Sequence, residues 1–205
     1  MDIIKTKVFI IGFHKTGTTS LEEALKNLGY RVYGGDKHLL DFKSKSRLQE
    51  YLKKKTLNWD AVQDMPWPLV FKDLYEIYPE AKFILTKRET DNWIRSVVKY
   101  FARIRIPLHR KIYNVPCAEG HEKRYVEVYE NHNREVLEFF NNKPNFLMME
   151  QGKNFDYKTL CNFLDIAQIP SGDFPHARNN KKRTLPNYKI YRDLRSLYWN
   201  FKKRY

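Results

Sequence analysis

The sequence predicts an α/β fold of three layers, α/β/α, around a central, mainly parallel sheet. Three observations carry that expectation. Lys7-Val-Phe-Ile-Ile-Gly12 is a short β-branched and aromatic run, the composition of a strand buried on both faces. Leu21, Ala24, Leu25 and Leu28 then follow at the i, i+3, i+4, i+7 spacing of an amphipathic helix. The alternation recurs along the chain, and strands separated by helical segments imply parallel pairing with helices on both faces. A chain of 205 residues suits a single domain, 1–205, with a sizeable core.

The elements follow in order. The first helix is expected to end near Gly29, and Tyr30-Arg-Val-Tyr33 reads as a short strand closed by Gly34-Gly35. Asp36 is suited to cap a helix whose apolar face carries Leu48, Tyr51 and Leu52. Asp60 to Asp64 is a weaker strand, stopped by Met65-Pro-Trp-Pro68 because proline cannot continue the ladder. Leu69 to Tyr78 reads as helix, and Lys82-Phe-Ile-Leu-Thr-Lys87 as the second clear buried strand. From Asp91 a helix places Trp93, Val97, Phe101 and Ile104 on one side. Residues 105–120, with Pro107, Pro116 and Gly120, read as irregular, and 121–141 as a long helix. Asn145 to Met149 is a further strand, and Tyr157, Leu160, Cys161 and Leu164 mark another helix. Ile169 to Arg183 is expected as loop, and Tyr191, Leu194, Tyr198 and Phe201 as a terminal helix.

The organising stretch is Gly12-Phe-His-Lys-Thr-Gly-Thr-Thr-Ser20, between the first strand and the first helix. Backbone N–H groups converge at such a helix N-terminus and favour an anion. The Gly12-x4-Gly17 spacing matches a phosphate-binding loop, but Thr18 stands where a nucleoside-triphosphate loop has lysine. The loop's lysine is Lys15, at its crest and expected to be partly open to solvent, with the hydroxyls of Thr16, Thr18, Thr19 and Ser20 around it.

The net charge of +14 predicts an anionic partner: a nucleotide, nucleic acid or an acidic surface. Cys117 and Cys161 have no metal-ligand spacing, the histidines form no metal motif, and Cys161 falls on a helical stripe as a core residue. With no apolar run of membrane-spanning length, no Asn-x-Ser/Thr acceptor and no room for a signal peptide before the first strand, a cytoplasmic protein is expected.

Lys15-Thr-Gly-Thr-Thr19 resembles the 5′-phosphosulfate loop of sulfotransferases that use 3′-phosphoadenosine-5′-phosphosulfate (PAPS), whose motif reads Lys-x-Gly-Thr-Thr. Those enzymes also carry an Arg after a later strand and a Ser eight residues on, which grip the 3′-phosphate; Arg88 and Ser96 match. Their third landmark is a basic loop near the C-terminus. Phe174 to Arg183 occupies its place, with Arg178 and Lys181 for the phosphate and Asn179 or Asn180 for the adenine, or it is a solvated charge run. The resemblance runs from Lys7 to this loop and leaves 97–135 unmatched.

It implies a P-loop sulfotransferase-like fold and in-line transfer of a sulfuryl group from PAPS to a hydroxyl or amine, with release of 3′-phosphoadenosine-5′-phosphate (PAP) and no metal. Lys15 and the loop N–H groups would neutralise the leaving phosphate. The acceptor would be a small molecule or glycan, an acidic one included, and neither its identity nor the oligomeric state follows. Two departures matter. Many members follow Thr-Thr with a Trp that stacks on adenine, where this chain has Ser20, so another aromatic such as Trp59 must serve, or Trp59 is simply core. Many also have a histidine base after the third strand, where this chain has Asp64, either a base or a cap of the following turn; His14, beside Lys15, is the other candidate. Two alternatives make different predictions: a nucleotide or nucleoside kinase would need Mg-ATP, and a basic nucleic-acid binder would show steep salt dependence.

Overall fold

The computed structural model describes residues 5–176, which fall into two compact units. The first runs through Glu89 and resumes at His132–Pro175; the second is Thr90–Asn131 together with His176. The expected terminal helix, and Arg178, Asn180 and Lys181 of the basic loop, lie outside the described residues.

The first unit is built on five parallel strands: β1 (Val8–Ile10), β2 (Val32–Tyr33), β3 (Ala61–Val62), β4 (Lys82–Lys87) and β5 (Phe146–Glu150), in the order β2-β3-β1-β4-β5. Alternate residues of β1 feed opposite cores, as the two-residue period of a strand requires. Val8 and Ile10 join Ile84, Leu21 and Leu25 of α1 (Thr18–Asn27), and Leu160 and Cys161 of α7 (Tyr157–Phe163). Phe9 and Ile11 join Phe83 and Leu85, Leu52 of α2 (Lys45–Thr56), Phe71 and Leu74 of α3 (Phe71–Ile77), and Val136 and Phe140 from the region of α6 (Glu122–Phe139). Both faces of the sheet are thus covered by helices, the three-layer arrangement expected. Burying a side chain such as Leu25 or Leu85 contributes about 1.5–3 kcal/mol.

Local chemistry sets the helix ends. Helix α1 closes with Gly29 N–H donating to the Lys26 carbonyl and Tyr30 N–H to Leu25, a Schellman pair. Helix α7 opens on Asp156, whose carboxylate accepts from Thr159 N–H at 2.7 Å. Asp36 caps as expected, but what it caps is a 3-10 turn, Lys37–Leu40, and α2 begins only after Ser44. The buried Asp36 carboxylate also accepts from the Tyr51 hydroxyl at 2.8 Å, which ties the turn to α2. The expected helix from Leu69 is a 3-10 turn at Trp67–Val70 followed by α3.

In the second unit, α4 (Thr90–Phe101) buries Trp93 and Val97 as expected. Residues 105–120 are not irregular throughout: α5 (Pro107–Tyr113) lies within them, with Pro107 in its first turn, where a missing N–H costs nothing. Trp93 stacks on Tyr129 at 4.0 Å and Tyr113 on Tyr125 at 3.7 Å between ring centroids. Each such pair adds about 0.5–1.5 kcal/mol beyond burial. These rings make the second unit a packed aromatic body.

Candidate functional site

In a parallel sheet every strand ends at the same edge, and ligands bind beyond the carboxyl ends where the strand order reverses. Here that point is β1, paired with β3 on one side and β4 on the other. The loop after β1 therefore sits between the segments that follow β3, which holds Asp64, and β4, which holds Arg88.

The loop turns through two left-handed residues, Lys15 at φ 70° and Gly17 at φ 103°. Gly17 is also the N-cap of α1, and its carbonyl accepts from Leu21 N–H at 3.0 Å. A Cβ on Gly17 would lie 2.7 Å from both Gln151 Nε2 and Phe155 Cζ, so a side chain is excluded by space as well as by φ. Helix α1 has no acidic residue in its first turn, which leaves the positive end of its dipole uncompensated.

Three contacts hold the loop from beneath. Gly12 packs on the backbone of Thr86 in β4 so closely that a Cβ would come within 2.3 Å of the Thr86 carbonyl oxygen. The Thr16 hydroxyl donates to the Phe13 carbonyl and meets the Thr86 hydroxyl at 2.6 Å. The His132 Nε2–H donates to the Ile11 carbonyl at 2.8 Å, with its ring 4.5 Å from that of Phe13. Burial pushes the His132 imidazole down to about 4, against smaller upward effects of the Ile11 bond and Glu135, so the ring is neutral at physiological pH.

The site residues expected from sequence divide accordingly. Lys15 lies in the loop but is buried, 7% exposed, which corrects the expectation that its ammonium opens to solvent: the left-handed turn folds the residue back into the loop. His14 and Thr18 are buried beside it, Ser20 is half-buried and Thr19 exposed. The Thr16 hydroxyl is committed to Phe13 and Thr86, so Thr16 is suited to meet a ligand through its backbone rather than its side chain. Arg88 is half-buried immediately after β4. Ser96 is half-buried on α4, in the second unit.

Asp64 follows β3 at φ 72°. One carboxylate oxygen accepts from Met65 N–H at 2.8 Å, so it does cap the turn, while Oδ2 accepts no hydrogen bond among the described residues. Burial raises its pKa, the Met65 N–H opposes the shift, and the nearby Glu22 carboxylate adds to it. A half-buried carboxylate with a raised pKa, an open oxygen and a place at the sheet's carboxyl edge is equipped to take a proton. Trp59, two residues before β3, stacks its ring on Tyr33 at 5.3 Å between centroids.

Sequence reasoning missed Thr86, His132, Gln63, Gln151 and Phe155. Gln63, buried beside Asp64, donates to Glu22 of α1 at 2.9 Å and so ties the end of β3 to the loop's helix. Among the described residues no group of His, Cys, Asp and Glu could hold a metal ion, and no helix is long and apolar enough to cross a membrane.

Comparison with known proteins gives the family. A family model described as a sulfotransferase domain matches residues 7–118 and 101–183. The chain is 26% identical over 212 residues to Ava biosynthesis cluster protein M of Aspergillus versicolor, an alignment covering 83% of this chain and 80% of that protein. Among solved structures, a shikimate kinase from Bacteroides thetaiotaomicron superposes with a TM-score of 0.47 at 10% identity, covering 78% of this chain and 94% of that one. A deoxyadenosine kinase from M. mycoides with bound dCTP gives 0.39 at 15% identity, over 70% and 89%. At those scores the kinases carry no argument about this chain's activity.

Proposed function

The chain belongs to the sulfotransferase domain family, and from that premise we propose that it moves a sulfuryl group from PAPS to a hydroxyl or amine of its acceptor and releases PAP. The observation that carries the reading is the left-handed loop at Lys15 and Gly17, set at the topological switch point on the uncompensated N-terminus of α1. That is a cradle for a phosphate, with its lysine before the second glycine rather than after it.

In this reading the donor's 5′-phosphate takes hydrogen bonds from the loop N–H groups and from Thr18, Thr19 and Ser20. Lys15 offsets the charge that builds on the leaving phosphate as the sulfuryl S–O bond breaks. Asp64 accepts the acceptor's proton as the new bond to sulfur forms, with His14 as the alternative base. Arg88 takes the 3′-phosphate through its guanidinium fork. The resemblance alone speaks for Ser96 beside it, and for Arg178, Asn180 and Lys181 closing on the nucleotide. As in phosphoryl transfer, the protein's work is positioning and electrostatics. No metal is required in this scheme, because Lys15, Arg88 and the helix terminus supply the positive charge. The acceptor is a small molecule or glycan. A cytoplasmic location belongs to the same proposal, supported by the free thiols Cys117 and Cys161.

Thermal stability tests the donor. Ligand at about a hundred times its Kd stabilises by roughly 2.7 kcal/mol, and each kcal/mol moves the Tm of a chain this size by about 2–4 °C. PAP with chelator present should raise the Tm by roughly 5–10 °C, and Mg-ATP clearly less. Strong protection by Mg-ATP alone would hand the loop to a kinase.

A further inference from the structure

If the site binds PAPS, the loop offers no exposed ring for the donor's base, because Phe13 and His14 are buried and Ser20 stands where many similar loops carry tryptophan. We infer that Phe155 and Gln151, at the carboxyl end of β5, form the adenine-recognition face of this chain: Phe155 as the stacking ring and Gln151 as the amide that reads the base edge.

Both residues are brought to the phosphate loop by one close approach. Gln151 Nε2 and Phe155 Cζ each lie 2.7 Å from where a Cβ on Gly17 would stand, so they sit directly against the loop's backbone. The sheet fixes Gln151: its N–H donates to the Lys87 carbonyl at 3.0 Å and carries the β4–β5 ladder one residue past the strand. Its side-chain amide makes no hydrogen bond among the described residues, although the residue is half-buried. Phe155 is braced edge-to-face by Phe174 at 5.3 Å, and Phe174 in turn packs on Tyr157 at 5.1 Å. Phe174 and Tyr157 are buried, whereas Phe155 is only half-buried, at the margin of that core.

An aromatic face and an uncommitted amide beside a phosphate cradle are the two groups a purine needs. Stacking accepts any base. The amide is selective: it offers one acceptor and one donor side by side, which matches the N6–H donor and N7 acceptor of adenine, whereas guanine presents two acceptors on that edge. The pair therefore selects an adenine nucleotide by its base, independently of the contacts at its phosphates.

Calorimetry on the full chain tests this, with PAP, the guanosine counterpart of PAP, and the baseless analogue 1-deoxyribose 3,5-bisphosphate as probes. Phe155→Leu keeps the apolar packing and removes the ring; it should weaken PAP by about 5- to 150-fold, the worth of one base–aromatic stack, and leave the baseless analogue unchanged. Gln151→Met removes both the donor and the acceptor at similar volume and should erase the preference for PAP over its guanosine counterpart. Far-ultraviolet dichroism confirms that each variant folds, and should Phe155→Leu fail to fold, Phe155→Met takes its place. Unaltered PAP affinity in the Phe155 variant, or equal losses for PAP and the baseless analogue, would overturn the inference while leaving the donor reading intact. A wild-type chain that does not bind PAP at all would overturn both.

Discussion

His132 should make the protein acid-labile in a way that one substitution can isolate. Its imidazole is held neutral by burial, with a folded pKa of about 4 against an ordinary 6.5. The sign follows from linkage. Above pH 6.5 both folded and unfolded forms are neutral and the group has no effect. As pH falls from 6.5 toward 4 the unfolded chain binds a proton that the folded chain refuses, so stability is lost across that window. At 1.36 kcal/mol per unit, the loss from pH 7 to pH 4.5 comes to about 2.4 kcal/mol, or a Tm change of roughly 5–10 °C. His132→Gln keeps a donor for the Ile11 carbonyl but cannot titrate. Its stability at pH 7 will differ by some constant amount; the readout is the slope. Thermal melts at half-unit steps from pH 7 to 4.5 should show the variant losing about 2.4 kcal/mol less than the wild type, with the carboxylates contributing equally to both. Parallel pH profiles would mean that His132 is not held neutral beneath the loop, and the packing argument built on it would fall.

The other predictions concern the loop and its edges. Lys15→Met should fold, since methionine fills the buried volume that Lys15 now occupies, and should lose on the order of a hundredfold or more in transfer rate; near-normal turnover would remove the centre of the functional reading. Arg88→Ala should weaken PAP by roughly 1.5–3 kcal/mol and adenosine 5′-phosphate much less, and equal losses by calorimetry would place the arginine elsewhere. Asp64→Asn is tolerant of the positive φ and should lower transfer about 10²–10⁴-fold. With Asp64 present, the rate should rise with pH through a pKa above the usual carboxylate range, because burial favours the protonated form; retention of rate at every pH in the variant would shift the base to His14.

What could be read from the sequence was what is encoded locally. The runs at Val8–Ile10 and Lys82–Lys87 declare themselves by composition, and the stripe from Leu21 to Leu28 declares its helix by period. The loop was legible because its chemistry is contiguous: lysine, glycine and hydroxyls in one short stretch. Helix α5 was lost because Pro107 and Pro116 read as interruptions, although Pro107 sits in the first turn, where proline is at home. Lys15's burial was lost because exposure of a loop lysine is only an average tendency, and the left-handed turn overrides it. The residues that escaped altogether act across the fold. Thr86 lies 70 residues from Thr16, and His132 lies 121 from Ile11; neither carries any mark in its own neighbourhood.

Those distant residues explain why the loop can act without being rebuilt on binding. Ile11, Gly12, Phe13 and Thr16 are each fixed from the protein side, by His132, by the backbone of Thr86, and by the Thr16 and Thr86 hydroxyls. A backbone held at both ends of its turn has little conformational freedom left to lose when an anion arrives, so the ordering cost is met during folding and more of the contact energy remains for binding. The same constraint sets what the loop can discriminate. Thr18 is buried at the first position of α1, where a nucleoside-triphosphate loop would place its lysine, while Lys15 is locked by a left-handed backbone on the far side of Gly17. The positive charge therefore cannot slide along the helix toward a β,γ-phosphate pair without unmaking the turn. Its position suits one phosphate and the group leaving from it, as the proposed sulfuryl transfer requires.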